Sequence, residues 1–226
     1  MTNEQILSHI DHTLLRATAS WEEIKKLCDE ALRYKTASVC VPPSYVKPIK
    51  DAYGEALLIC TVIGFPLGYN LKELKLKEAE LALAEGALEL DMVINQGDIK
   101  NGYFSKVEEE IAALKKCAGE KILKVIIETC NLNREEKISL CEIVTRAGAD
   151  YIKTSTGFGS AGATMEDVLL FKEHIGRDLK IKAAGGVKSR DDLVQFLEAG
   201  CDRIGTSSAV SLLTGPGKEA AAVTGY

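Results

Sequence analysis

The sequence contains no run of 18 apolar residues, so it offers no candidate membrane-spanning helix. Its seven cysteines (Cys28, Cys40, Cys60, Cys117, Cys130, Cys141 and Cys201) include no Cys-x-x-Cys pair, and an odd number cannot all pair within one chain. Several sit in or beside apolar runs, where a thiol behaves as a small buried hydrophobe, so reduced thiols and a cytoplasmic location are expected. The three histidines, His9, His12 and His174, make no His-x-x-x-His or Glu-x-x-His pattern, and no metal or other cofactor is expected. There is no basic block either: 28 Lys+Arg against 33 Asp+Glu leave a net charge of -5, which argues against a nucleic-acid partner. The opening Met1–Gln5 lacks the basic-then-apolar layout of a signal peptide. No low-complexity segment or Pro/Gly/Ser-rich linker divides the 226 residues, which are read as one domain over 1–226 with a flexible tail from about 214.

What is present is an alternation. Short β-rich runs are predicted at Ile10–Leu15, Ala37–Val41, Leu57–Gly64, Leu88–Ile94, Leu123–Thr129, Tyr151–Ser155, Lys180–Ala184 and Arg203–Thr206. Amphipathic helices are predicted between them at Trp21–Arg33, Leu71–Ala84, Ser105–Cys117, Arg134–Arg146, Met165–His174 and Ser189–Ala199, with weaker patterns at Ser44–Tyr53 and Ala209–Leu213. The runs recur at about 27 residues, the length of one strand, one helix and two short loops. They are apolar on both faces, as strands of a parallel sheet are when helices cover the outside. Eight such units favour a closed, single-domain (β/α)8 TIM barrel, with an open doubly wound sheet as the alternative.

In a barrel of this kind the chemistry lies at the C-terminal ends of the strands. Asp11, Asp91, Glu128, Lys153 and Lys182 are charges embedded in otherwise apolar runs, and a buried charge is costly unless it is paired. Lys153 and Lys182 lie on consecutive strands and would face one lumen. Each ammonium disfavours protonation of the other and burial acts in the same direction, so such a pair is expected to hold one amine neutral near pH 7. A neutral amine in a dry site is a nucleophile suited to forming a Schiff base with a carbonyl. The structural alternative is that one lysine merely pairs with Asp91 or Glu128. A carboxylate in the same lumen, Asp91 above all, could shuttle the protons that Schiff-base chemistry requires.

The last two loops, Gly185-Gly186-Val187 and Gly205-Thr206-Ser207-Ser208, are rich in small and hydroxyl residues. They stand where barrels often bind phosphate through backbone N–H groups. A third loop of this kind, Thr154–Thr164, directly follows Lys153.

Together, Tyr151-Ile152-Lys153-Thr154-Ser155-Thr156-Gly157, Ile181-Lys182-Ala183-Ala184-Gly185-Gly186-Val187 and Glu89-Leu90-Asp91-Met92-Val93-Ile94-Asn95 resemble the deoxyribose-phosphate aldolase family. Ile10–Leu15, Val39–Pro43 and Val62–Gly68 agree, so the likeness runs from about residue 6 to about 213. It implies a metal-free class I aldolase that cleaves 2-deoxy-D-ribose 5-phosphate to D-glyceraldehyde 3-phosphate and acetaldehyde in deoxyribonucleoside catabolism, without a cofactor and as a homo-oligomer, dimer or tetramer. It further implies Lys153 as the Schiff-base lysine, Lys182 as the neighbour that tunes it and Asp91 as the proton relay. Asp11, Thr154 and Tyr226 would be supporting residues, and Gly185, Gly186, Val187, Gly205, Ser207 and Ser208 would bind phosphate. Phe158 stands where some members carry a phosphate-binding lysine and another branch carries phenylalanine.

Overall fold

The strands are built almost wholly from buried residues. Ile10–Thr13 (β1), Ser38–Val41 (β2), Ile59–Ile63 (β3), Glu89–Val93 (β4) and Tyr151–Lys153 (β6) are buried at every position. Ile122–Ile126 (β5), Lys180–Ala184 (β7) and Arg203–Thr206 (β8) are buried at all but their first residue. In the computed structural model, which describes residues 1–215, each strand pairs in parallel with the next and β8 closes onto β1. The sheet is a closed eight-stranded barrel, and the open-sheet alternative is excluded. Tyr226 and the rest of the proposed tail beyond Gly215 lie outside the described residues.

Several of the helices open on a side-chain cap. Trp21–Tyr34 (α2) opens on a Ser20/Glu23 capping box and buries Ile24, Leu27, Cys28 and Ala31 on one face, the i, i+3, i+4, i+7 spacing of an amphipathic helix. Arg134–Arg146 (α7) and Arg190–Ala199 (α9) open on Asn133/Glu136 and Ser189/Asp192 boxes. Val46–Tyr53 (α3), Lys72–Ala84 (α4), Phe104–Ala118 (α6), Met165–His174 (α8) and Ala209–Thr214 (α10) complete the outer layer. Among the described residues no helix is long and apolar enough to cross a membrane.

Four details depart from the sequence reading. Asn3–Leu7 (α1), capped by Thr2 and Gln5, and Gln96–Lys100 (α5), capped by Asn95, are additional short helices. A 3-10 turn over Pro43–Tyr45 precedes α3, so this helix starts later than expected. The run expected over Leu123–Thr129 ends as a strand at Ile126, because Glu128 adopts a left-handed backbone and Thr129–Asn131 is a 3-10 turn. Glu128 is therefore a loop residue rather than a strand charge.

Candidate active site

Alternation along β4 puts Glu89 and Asp91 on the same face of the strand, and their contacts lie in the lumen. The strand register sets Asp91 beside Lys124 of β5, Lys153 of β6 beside Lys182 of β7, and Lys182 beside Arg203 of β8. The side chains converge. Lys153 Nζ and Lys182 Nζ each donate to the same oxygen of Asp91, Oδ2, at 2.7 Å, while Lys124 Nζ donates to the other, Oδ1, at 2.9 Å. Lys182 also reaches Asp11 Oδ2 at 2.5 Å, and Lys124 reaches Glu89 Oε2 at 2.6 Å and Asp11 Oδ2 at 3.6 Å. Arg203 closes the lower side on Asp11 Oδ1 at 2.6 Å and Glu89 Oε1 at 3.3 Å. Asp11, Asp91, Lys124 and Lys182 are fully buried, and Lys153 is 2% exposed.

The two lysines expected to share a lumen do share it, but they do not face each other bare. For Lys182 the expected effect is reversed: burial disfavours its charge, yet Asp11 and Asp91 outweigh burial and hold its pKa above the usual lysine value. Lys124 is likewise raised, with burial overcome chiefly by Asp91. Burial would lift the carboxyl of Asp91, but Lys124, Lys153 and Lys182 together hold it well below the carboxylate range. Asp11 is lowered in the same way against burial by Lys182, Lys124 and Arg203. The lumen is thus a fixed ionic lattice in which Asp91 stays ionised and Lys182 stays charged.

Part of the wall beside the lattice is apolar. Leu15, Cys40, Cys60 and Val62 form a buried cluster apart from the main core, with Phe65 packed against it. Cys60 Sγ lies 3.1 Å from Asp91 Oδ1, which joins this wall to the charges. Phe65 meets Phe158 edge-on with ring centroids 5.4 Å apart.

The loops after β6, β7 and β8 complete the mouth. Thr154 Oγ1 accepts from the backbone N–H of Ala184 at 3.1 Å, so its side chain ties β6 to β7. Gly185 and Gly186 both hold positive φ, 73° and 78°, where a residue with a Cβ would be strained. Gly162 lies so close to them that a Cβ there would come within 2.4 Å of Gly185 C. The side chain of Val187 packs toward the main core, leaving its backbone to the loop. A Cβ at Gly205 would sit 3.1 Å from Lys182 Cε, which puts this backbone against the lysine stem. Ser207 is exposed, and the hydroxyl of Ser208 is 3.0 Å from Thr206 Oγ1.

A family model described as DeoC/LacD family aldolase matches residues 6–214. That span is nearly the whole chain. The chain belongs to the DeoC/LacD aldolase family. The deoxyribose-phosphate aldolase of Clostridium botulinum (strain Alaska E43 / Type E3) is 60% identical over 215 residues, covering 95% of this chain and 97% of that protein. The deoxyribose-phosphate aldolase of Clostridioides difficile (strain 630) is 55% identical over 210 residues, covering 93% and 96%. A solved structure described as the unique tetrameric structure of deoxyribose phosphate aldolase from Aeropyrum pernix superposes with a TM-score of 0.88 at 35% identity, covering 94% of this chain and 91% of that one.

In this family member the lumen brings together four residues expected from the sequence: Lys153, Lys182, Asp91 and Asp11. Three more, Lys124, Glu89 and Arg203, complete the lattice and were not anticipated. Lys124 carries the same signal as Lys153, an isolated charge in an apolar strand. Glu128 does not join the lattice; it lies above it, against Thr156.

Proposed function

We propose that the chain is a class I, Schiff-base deoxyribose-phosphate aldolase that reversibly cleaves 2-deoxy-D-ribose 5-phosphate to D-glyceraldehyde 3-phosphate and acetaldehyde. The observation that carries this reading is the sharing of one Asp91 oxygen by the ammonium groups of Lys153 and Lys182. The names of the two clostridial relatives support the substrate.

Lys153 is the proposed nucleophile. It touches one carboxylate, where Lys182 touches Asp11 and Asp91, and Lys124 touches Asp11, Glu89 and Asp91. The lattice sets four basic side chains (Lys124, Lys153, Lys182, Arg203) against three carboxylates (Asp11, Glu89, Asp91), and Lys153 is the one held by the fewest of them.

The amine adds to the C1 aldehyde of the open-chain sugar, and the carbinolamine loses water to give an iminium. As the C2–C3 bond breaks, its electron pair moves into the iminium, the C3 hydroxyl gives up its proton and glyceraldehyde 3-phosphate leaves. The enamine takes a proton at C2, water hydrolyses the new iminium, and acetaldehyde and the free amine are released. The cycle balances without a redox step or a cofactor. Asp91, ionised at rest beside Lys182 and Lys124, is the group through which these protons are relayed. Asp11 fixes Lys182, and Thr154 fixes the loop ends. Backbone N–H groups of Gly185, Gly186, Val187 and Gly205, with the hydroxyls of Ser207 and Ser208, hold the phosphate remote from the bond that breaks.

The reaction belongs to deoxyribonucleoside breakdown in the cytoplasm, and seven unpaired cysteines suit a reducing compartment. We also propose a homo-oligomer, dimer or tetramer, on the likeness to the Aeropyrum protein. The activity is tested with purified protein and 2-deoxyribose 5-phosphate. Release of glyceraldehyde 3-phosphate, with enzyme-dependent deuterium uptake into the acetaldehyde methyl group in D2O, is expected. Turnover of a 2-keto-3-deoxy sugar acid in its place would move the chain to another class of Schiff-base aldolase.

A further inference from the structure

Glu128 is a charged residue that the proposed cycle leaves unused. It is 3% exposed, and its backbone sits at φ 55°, ψ 69°. A residue with a Cβ holds this left-handed conformation when its surroundings over-determine it, and such residues cluster at functional sites. Here the side chain is what is held. One carboxylate oxygen accepts the backbone N–H of Thr156 at 3.1 Å, and the other accepts the Thr156 hydroxyl. Thr156 Oγ1 in turn accepts the N–H of Phe158 at 3.0 Å, and the Phe158 ring meets Phe65. The loop after β5 therefore grips the loop after β6 three residues beyond Lys153.

The far end of the same loop is fixed differently. Ala163 N–H donates to Ala184 O at 3.0 Å and Gly185 O at 3.3 Å, and Gly162 lies against Gly185 and Gly186. Residues 156–163 thus form a strap anchored by a buried carboxylate at one end and by the glycine turn after β7 at the other. Lys153 is positioned independently of this strap, by the pairing of β6 with β5 and β7 and by its bond to Asp91.

We infer that Glu128 is a positioning residue for the phosphate-bearing end of the substrate: by gripping Thr156 it sets the strap that shapes the Gly185–Gly186 turn, and so governs preference for phosphorylated over unphosphorylated sugar. The inference rests on the aldolase reading above. Both carboxylate oxygens accept from Thr156, and Oε1 also lies 4.0 Å from Cys130 Sγ.

Glu128→Gln keeps the shape but exchanges for an NH2 donor one of the two acceptor oxygens that hold Thr156. Thr156→Val removes the hydroxyl from the other side. Each variant is expected to raise KM for 2-deoxyribose 5-phosphate more than it lowers kcat, and to cut the ratio of kcat/KM for the phosphorylated sugar to that for 2-deoxyribose at least about tenfold. The double variant should be no worse than the more impaired single one, since both break the same link. Thr156→Ser, which keeps the hydroxyl, should retain the wild-type ratio. The acetaldehyde adduct on Lys153, trapped with borohydride, should still form in all of them. An unchanged ratio, or equal losses on both sugars with a lowered Tm, would overturn the inference. If the wild-type protein itself forms no adduct, it is the aldolase reading that fails. Calorimetric titration with inorganic phosphate, expected to be about tenfold weaker in Glu128→Gln, then still decides the role of Glu128.

Discussion

Lys153→Met is expected to lower kcat/KM for 2-deoxyribose 5-phosphate by at least about 10^4-fold, the scale on which removing a covalent nucleophile acts, while the barrel stays folded. The second half of this result follows from the charge lattice. Met fills much the same length as the lysine stem. It also leaves three cations, Lys124, Lys182 and Arg203, against Asp11, Glu89 and Asp91, so no buried carboxylate is stranded. Asp91 keeps Lys124 at 2.9 Å and Lys182 at 2.7 Å. Thermal melts within a few degrees of wild type, together with the activity loss, would separate chemistry from scaffolding. A variant that retained more than about 1% of wild-type turnover would remove Lys153 from the mechanism.

Asp91→Asn is expected to be as damaging to turnover and far more damaging to stability. This one carboxylate meets three buried ammonium groups, and removing one partner of a buried ion pair costs about 3–5 kcal/mol because the opposing charges stay buried without compensation. Urea titration reads that loss directly. The pH dependence gives a second check with a definite sign. The folded-state pKa of Asp91 lies below its unfolded value, so the stability it contributes is fully present above about pH 4 and is lost as pH falls through the folded value. The stability gap between wild type and Asp91→Asn should therefore be constant from about pH 5 to 8 and should narrow as pH falls below about 4. A gap that grew in acid would mean that Asp91 is protonated in the native protein.

The barrel was legible because its strands are short and largely apolar, several of them set off by a small-residue turn, and because the helices between them carry caps or amphipathic faces. Lys153 and Lys182 were legible for a related reason: a lone charge in a strand with no polar face has to find a partner inside the barrel. The lattice as a whole was harder to see. Glu89 and Arg203 open their strands, where a charge reads as facing solvent; Glu89 meets Lys124 of the neighbouring β5, and closure of β8 onto β1 brings Arg203 to Asp11. That the two lysines are bridged by Asp91 depends on side-chain reach across the lumen, which strand order does not specify. The helices α1 and α5 have five residues each, too few to show a period, and their capping residues Thr2 and Asn95 are the signal that could have found them. The left-handed turn at Glu128 has no such signature, and the residue its side chain meets, Thr156, stands 28 positions further along the chain.

Lys153 is the proposed carrier of the covalent intermediate, and borohydride reduction in the presence of acetaldehyde tests that step alone. Reduction of the iminium should leave an ethyl group on the lysine, and peptide mass spectrometry should place it on the Lys153 side chain and not on Lys182 or Lys124. An ethyl group found on Lys182, or a protein left unmodified while it still turns over 2-deoxyribose 5-phosphate, would contradict the account.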